Sequence, residues 1–217
     1  MKKPIQAVIF DLDGTLLNTL GDLRNAVNYA LRRRGWPERT TEEVCAFVGN
    51  GIRNLMRLSM PEGMPDDVID AGLAEFYEYY SAHMQDETVP YDGIMELLRQ
   101  LKADGKKIGI LSNKVHTAAV PLCRHYFGDL PDVIFGERPG VPRKPDPTSC
   151  LELMEKLGVT REETVYVGDS GVDMNTARNA GLLACGVTWG FRSRQVLLTS
   201  GANLLIDTPA GLLRNID

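Results

Sequence analysis

Asp11 and Asp13 follow the apolar run Ala7 to Phe10 and lead into Gly14 and Thr15. Side chains at i and i+2 of an extended chain share a face, so both carboxylates can point into one small volume while Leu12 packs the other way. Gly14 permits a tight bend; read alone, the segment is also an ordinary Asp-Gly turn. Three further segments end apolar runs or open helices in a related manner. Ser112-Asn113-Lys114 follows Gly109-Ile110-Leu111. There a hydroxyl and backbone N–H groups, at a strand end opening into a helix, would form an anion pocket or a plain Ser cap. In Arg143-Lys144-Pro145-Asp146-Pro147 the two prolines restrict the backbone and could hold Lys144 in one direction. Gly168-Asp169-Ser170-Gly171-Val172-Asp173 closes a strand and opens a helix, so Asp169 and Asp173 could face one site or merely cap that helix.

The combination is more telling than any one segment, because four strand ends each supply a group that phosphoryl transfer requires. Converging carboxylates from Asp11, Asp13, Asp169 and Asp173 repel one another, two charges about 4 Å apart costing about 4 kcal/mol at an effective dielectric near 20. Lys144 alone cannot offset that repulsion. A phosphate dianion could approach only if a divalent cation neutralised the site, and an all-oxygen ligand set favours Mg²⁺ over zinc.

The elements that must position these groups are legible as a repeating pattern. Apolar runs bounded by turn signals predict strands over Ala7 to Phe10, Ile108 to Leu111, Val133 to Phe135, Thr164 to Val167, Ala184 to Val187 and Leu204 to Ile206. Between them, apolar residues three or four apart predict helices over Ile94 to Ala103, Thr117 to Phe127, Thr148 to Leu157 and Val172 to Ala180, with glycines after each. Strand alternating with helix implies an α/β protein with a Rossmann-like parallel sheet covered on both faces, whose ligands bind beyond the carboxyl ends of the strands. From Leu20 to about Met84 the pattern is helical throughout, with predicted helices over Leu20 to Arg34, Thr41 to Val48, Ile52 to Met60 and Asp66 to Met84. An all-helical cap domain, residues 19–86, is therefore expected as an insertion in an α/β core formed by residues 1–18 and 87–217.

Composition excludes several classes. The chain has 217 residues, 43% hydrophobic and 24% charged, which suits a globular protein with one substantial core plus an insertion. A formal charge of -5 argues against a nucleic-acid partner, since affinity for a polyanion comes from clustered cations. No apolar run reaches the roughly 18 to 20 residues that span a bilayer, and Met1 to Phe10 reads as a strand rather than a signal peptide, so no membrane partner and a cytoplasmic location are expected. Cys45, Cys123, Cys150 and Cys185 have no paired spacing and are expected as reduced thiols; the three histidines are equally scattered, which disfavours zinc.

The Asp11 to Thr15 motif, Ser112, Lys144 and Gly168 to Asp173, in that order and with a helical insertion after the first, resemble the four motifs of the haloacid dehalogenase-like hydrolase superfamily, specifically its phosphoglycolate phosphatase type. The resemblance covers essentially the whole chain. It implies a phosphoric monoester hydrolase acting on a small phosphorylated metabolite through an aspartyl phosphate. Asp11 would be the nucleophile and Asp13 the general acid and base; Ser112, with Gly14, Thr15 and Asn113, would hold the phosphate, and Lys144 would balance charge. Asp11, Asp169 and the backbone carbonyl of Asp13 would hold Mg²⁺, with Asp173 supporting them through water. The turn Gly49-Asn50-Gly51 and Arg53 would meet the leaving group, since similar turns in the family face the core site.

Single residues sort the family's other activities. Asp13 together with Asp169 disfavours a metal-free dehalogenase, and no Lys between Lys3 and Lys102 is present to form a cap Schiff base for phosphonate cleavage. Leu23 stands where a sugar phosphomutase typically has His. Inorganic pyrophosphate and sugar phosphates remain alternative substrates, a non-catalytic phosphate-binding regulator remains a further alternative, and either a monomer or a homodimer is compatible with the sequence.

Overall fold

The structure is a computed structural model that describes residues 4–216; Met1, Lys2 and Lys3 of the expected first strand segment, and Asp217 of the expected core, lie outside the described residues. The chain divides into two compact units, Met1–Leu17 with Pro90–Asp217, and Asn18–Val89.

In chain order the first unit opens with β1 (Ala7–Phe10) and reaches β2 (Leu17–Asn18). The second unit then comprises α1 (Leu20–Arg33), α2 (Thr41–Phe47), α3 (Ile52–Ser59) and α4 (Asp66–His83). The chain returns through β3 (Val89–Pro90), which pairs with β2, to α5 (Ile94–Ala103) and β4 (Lys107–Val115). There follow α6 (His116–Phe127), β5 (Val133–Glu137), α7 (Thr148–Leu157), β6 (Thr164–Gly168), α8 (Gly171–Ala180), β7 (Leu183–Val187), α9 (Arg194–Thr199), β8 (Leu204–Ile206) and α10 (Ala210–Ile216). Among the described residues no helix is long and apolar enough to cross a membrane.

The main sheet is parallel throughout, with strand order β5-β4-β1-β6-β7-β8. Its pleat sends Ala7 and Ile9 to a core shared with Cys150, Leu153 and Leu157 of α7, Met174 and Ala177 of α8, and Leu197 of α9. The central strands are buried along their length, as a sheet covered on both faces requires. Register places Phe10 opposite both Ile110 and Val167. Asp11, just past β1, and Asp169, just past β6, therefore leave the sheet at the same end, and Asp11 donates its N–H to the Val167 carbonyl.

The sequence pattern ends the second core strand at Leu111, but β4 continues to Val115, so Ser112 does not open a helix as expected. Pairing with β5 is regular to Leu111↔Phe135 and resumes at Val115↔Glu137, so Ser112, Asn113 and Lys114 face a single partner position across a bulge. A bulge re-aims side chains within a strand, which is why a segment too polar for a predicted strand still belongs to one.

The helical unit has its own core. Leu23, Ala26, Val27, Ala30 and Leu31 form the apolar stripe of α1, packed with Leu55, Met56, Ile69, Phe76 and Tyr80. Thr40 caps α2 reciprocally with Glu43. Buried Asp22 accepts hydrogen bonds from the backbone N–H of Glu87 and Thr88 and from the Thr88 hydroxyl, at 2.7–2.9 Å, and so fixes the returning chain to α1. Asp22→Ala leaves those donors without an acceptor, at about 1–3 kcal/mol for a buried group. We predict a lower urea midpoint for this variant, with the loss expressed first in spectroscopic probes placed on α1.

Candidate active site

The strand-end carboxylates meet. Oxygens of Asp11, Asp169 and Asp173 all lie within 4.8 Å of one another, and all three residues are buried. Two buried lysines divide the neighbouring charge. Lys144 Nζ is 2.7 Å from Asp11 Oδ1 and 2.8 Å from Asp173 Oδ1. Lys114 Nζ is 3.0 Å from Asp13 Oδ1. Four carboxylates against two buried ammonium groups, with Arg192 a lesser influence on Asp169, leave an excess of negative charge that a divalent cation would balance. The donor set, carboxylate oxygens without sulfur or imidazole, suits a hard cation.

The electrostatics carry the mark of that deficit. Burial, then the Asp173 charge, raise the Asp11 carboxyl well above its ordinary value, against the lowering influence of Lys144. Burial and Asp173 push Asp169 up to about 7, opposed by the N–H of Phe191. For Lys144, burial alone would favour the neutral amine, but Asp11 and Asp173 more than reverse it, and its pKa is raised well above the ordinary value.

Each group is held by identifiable partners. The Asn113 side chain accepts from the Lys144 N–H at 3.0 Å and donates to the Lys144 carbonyl at 3.1 Å, fixing the lysine's main chain. The Asn113 side chain is thereby engaged with the loop that carries Lys144, and the phosphate binding expected here would fall to the backbone. Ser112 Oγ accepts from the Lys114 N–H at 3.0 Å and donates to Asp13 Oδ2 at 3.4 Å. Asp173 caps α8 by accepting from Ser170, while its other oxygen faces Lys144 and the Tyr166 hydroxyl, so it supports Lys144 from behind. Thr15, also expected at the phosphate, donates its hydroxyl to Asp169 Oδ1 at 3.3 Å.

The sequence reading missed the loop after β7. Phe191 N–H donates to Asp169 Oδ2 at 2.7 Å, and Trp189 Nε1 donates to the Thr15 carbonyl at 3.0 Å. Between them, a Cβ on Gly190 would sit 2.3 Å from Asp169 Cβ and 2.3 Å from the Gly14 carbonyl oxygen. Gly14 itself has φ +88°, and a Cβ there would meet Asp169 Oδ2 at 2.4 Å. The loop is therefore packed against the main chain of the turn after β1 and against the Asp169 side chain. Lys114 was likewise passed over; only the bulge in β4 brings it to Asp13.

In the helical unit, Arg53 donates to Asp70 and Asp66, both at 2.8 Å. Its guanidinium is thus engaged within that unit, at the start of α3 beside the Gly49-Asn50-Gly51 turn. Cys123, Cys150 and Cys185 are buried free thiols and Cys45 is half-buried.

Comparison with known proteins agrees with this geometry. The family model described as haloacid dehalogenase-like hydrolase matches residues 8–187. A phosphoglycolate phosphatase of Pseudomonas putida is 34% identical over 212 residues, covering 95% of this chain and 78% of that protein. One from Thiobacillus denitrificans is 34% identical over 199 residues, covering 89% of this chain and 88% of that protein. The crystal structure of a candidate phosphoglycolate phosphatase from Lactobacillus delbrueckii subsp. bulgaricus superposes with a TM-score of 0.93 at 34% identity, covering 99% of both chains.

Two predictions concern the carboxylate cluster. Because the Asp169 pKa is raised to about 7 in the metal-free protein, cation binding must expel a proton below that pH. Affinity for a divalent cation, measured by titration calorimetry, should fall about tenfold from pH 8 to pH 6 through this group alone. The same raised pKa favours the folded metal-free state at low pH, an advantage lost as pH rises through about 7, so the metal-free protein should melt lower at pH 8 than at pH 6. Separately, Gly190→Ala should weaken cation binding about 10–100-fold in the same calorimetric measurement, by displacing Asp169.

Proposed function

The chain belongs to the haloacid dehalogenase-like hydrolases, and we propose that within them it is a Mg²⁺-dependent phosphatase that hydrolyses a small phosphate monoester of the phosphoglycolate type. One observation carries this reading: Asp11 and Asp169, from adjacent strand ends, bring carboxylate oxygens within 4.8 Å while Lys144 holds Asp11 at 2.7 Å. The likeness to phosphoglycolate phosphatases over nearly the whole chain supports the substrate class.

In this reading Asp11 is the nucleophile. Lys144 fixes one of its oxygens, leaving the other to approach phosphorus in line with the leaving group. Asp13 protonates the departing alkoxide, and the phosphoryl group rests on Asp11. Asp13, now a carboxylate, then takes a proton from the water that attacks the aspartyl phosphate; inorganic phosphate departs, Asp11 returns to a carboxylate and Asp13 to a carboxylic acid. Ser112 orients Asp13 and lies where phosphate oxygens would collect. Bound Mg²⁺, held by Asp11, Asp169 and the Asp13 carbonyl, would neutralise the cluster and withdraw charge from the phosphoryl oxygens. Holding the reactants in line can contribute roughly 7–11 kcal/mol, which rigid strand ends are suited to supply.

The helical unit is assigned the part of a cap that excludes water. Arg53 is not needed in this scheme, since Asp66 and Asp70 occupy its guanidinium. The protein is placed in the cytoplasm, where small phosphorylated metabolites are its substrates.

Asp11→Asn removes the nucleophile with little change in volume. Turnover of 2-phosphoglycolate should fall on the order of 10⁴-fold, while the variant still melts in a single cooperative transition. Retained turnover in a folded variant would overturn the assignment.

A further inference from the structure

Lys114 has no part in the four-motif scheme, yet it is among the most enclosed charged groups of the core. Its side chain is 3% exposed and its ammonium lies 3.0 Å from Asp13 Oδ1, on a carboxylate that is itself 15% exposed. Lys144 cannot serve that end of the site, because it is fixed between Asp11 and Asp173 at 2.7 and 2.8 Å. The two lysines therefore divide the site by function. Lys144 stands with the attacking carboxylate, and Lys114 stands with the carboxylate that handles the leaving group.

From this placement we infer that Lys114 is a specificity-determining residue, selecting substrates whose leaving group carries an anion next to the scissile oxygen. The inference rests on the reading of Asp13 as general acid. A general acid must come within roughly 3 Å of the oxygen it protonates. The Lys114 ammonium, one hydrogen bond further along, then lies within about 6 Å of that oxygen. A carboxylate on the carbon bonded to the leaving oxygen places its own oxygens about 3 Å from it, pointing away from phosphorus. That carboxylate can come within salt-bridge reach of Lys114, an anionic contact that a neutral alkyl group there cannot supply. The enclosed setting strengthens a charge-assisted contact of this kind relative to one at the surface.

The bulge in β4 is what makes the contact available. Ser112 and Lys114 both reach Asp13, Ser112 through its hydroxyl and Lys114 through its ammonium, and Ser112 Oγ also accepts the Lys114 N–H. Asn113 between them turns to Lys144. One three-residue segment thus serves the acid, the leaving group and the opposite lysine. A leaving phosphate, as in pyrophosphate, offers the same anionic chemistry as a leaving glycolate, so substrates of both kinds enter the test.

The experiment compares kcat/KM for 2-phosphoglycolate, pyrophosphate and ethyl phosphate in the wild type and in Lys114→Met. Ethyl phosphate keeps the alkyl leaving group and lacks the second anion. For whichever anionic substrate the wild type prefers, the ratio of its kcat/KM to that of ethyl phosphate should fall by about 30-fold in the variant, chiefly through KM. An unchanged ratio, with all substrates losing activity in parallel, would overturn the inference and leave Lys114 as a positioning residue for Asp13. Should Lys114→Met fail to fold, the wild type decides: equal kcat/KM for ethyl phosphate and both anionic substrates overturns the inference, and a preference of about 30-fold or more supports it. A wild type that prefers pyrophosphate would overturn the phosphoglycolate reading while leaving the role of Lys114 intact.

Discussion

Like charge held together under burial is the condition on which the rest of this structure depends. Asp11, Asp169 and Asp173 come from β1, the end of β6 and the first turn of α8, and in water they would stay apart. The sheet forces them together by register: with Phe10 opposite Val167, Asp11 and Asp169 leave neighbouring strands within one residue of the same level. Core packing of Ile9, Leu153, Tyr166 and Met174 supplies the burial energy that holds the strands in that register. The raised pKa values of Asp11 and Asp169 are the visible residue of the conflict, a site that stores unfavourable charge until a cation arrives.

Holding such a site open requires bracing from several directions, by backbone and side-chain groups together. Phe191 N–H and the Thr15 hydroxyl take the two oxygens of Asp169, Ser170 takes one oxygen of Asp173, and the Asn113 amide grips the main chain of Lys144. Each brace removes a rotamer that would relieve the repulsion. Mutual repulsion alone would scatter the carboxylates; repulsion against fixed partners instead presents them as ligands.

The fold and the chemistry were legible to different extents. Alternating apolar runs and helical periodicities gave the strand order of the chain and the helical insertion, because burial on both faces of a parallel sheet writes itself locally as short β-branched runs. The acids after β1 and β6 were legible for the same reason, standing where an apolar run stops. Lys114 was not, since the run before it ends at Leu111 and the bulge that keeps residues 112–115 in β4 depends on pairing with β5 rather than on local composition. Trp189 to Phe191 escaped because their contribution is two backbone contacts and an indole N–H aimed at residues more than 150 positions away in the case of Thr15, and backbone donors leave no signature in residue type. The Asn113 side-chain clamp on Lys144 was not legible either, since it joins two segments 31 residues apart.

The division of the two lysines gives the site a direction. On the proposed reading, with Asp11 as nucleophile and Asp13 as acid at successive parts of one reaction path, each carboxylate has its own ammonium, at 2.7 and 3.0 Å. Here Lys144 arrives from the loop before α7 and Lys114 from the bulge in β4, so neither can slide to the other's partner without breaking the strand or the Asn113 clamp. Charge is thereby fixed at both ends of the path before any substrate enters. On that reading the fixed charges amount to preorganisation in the electrostatic sense.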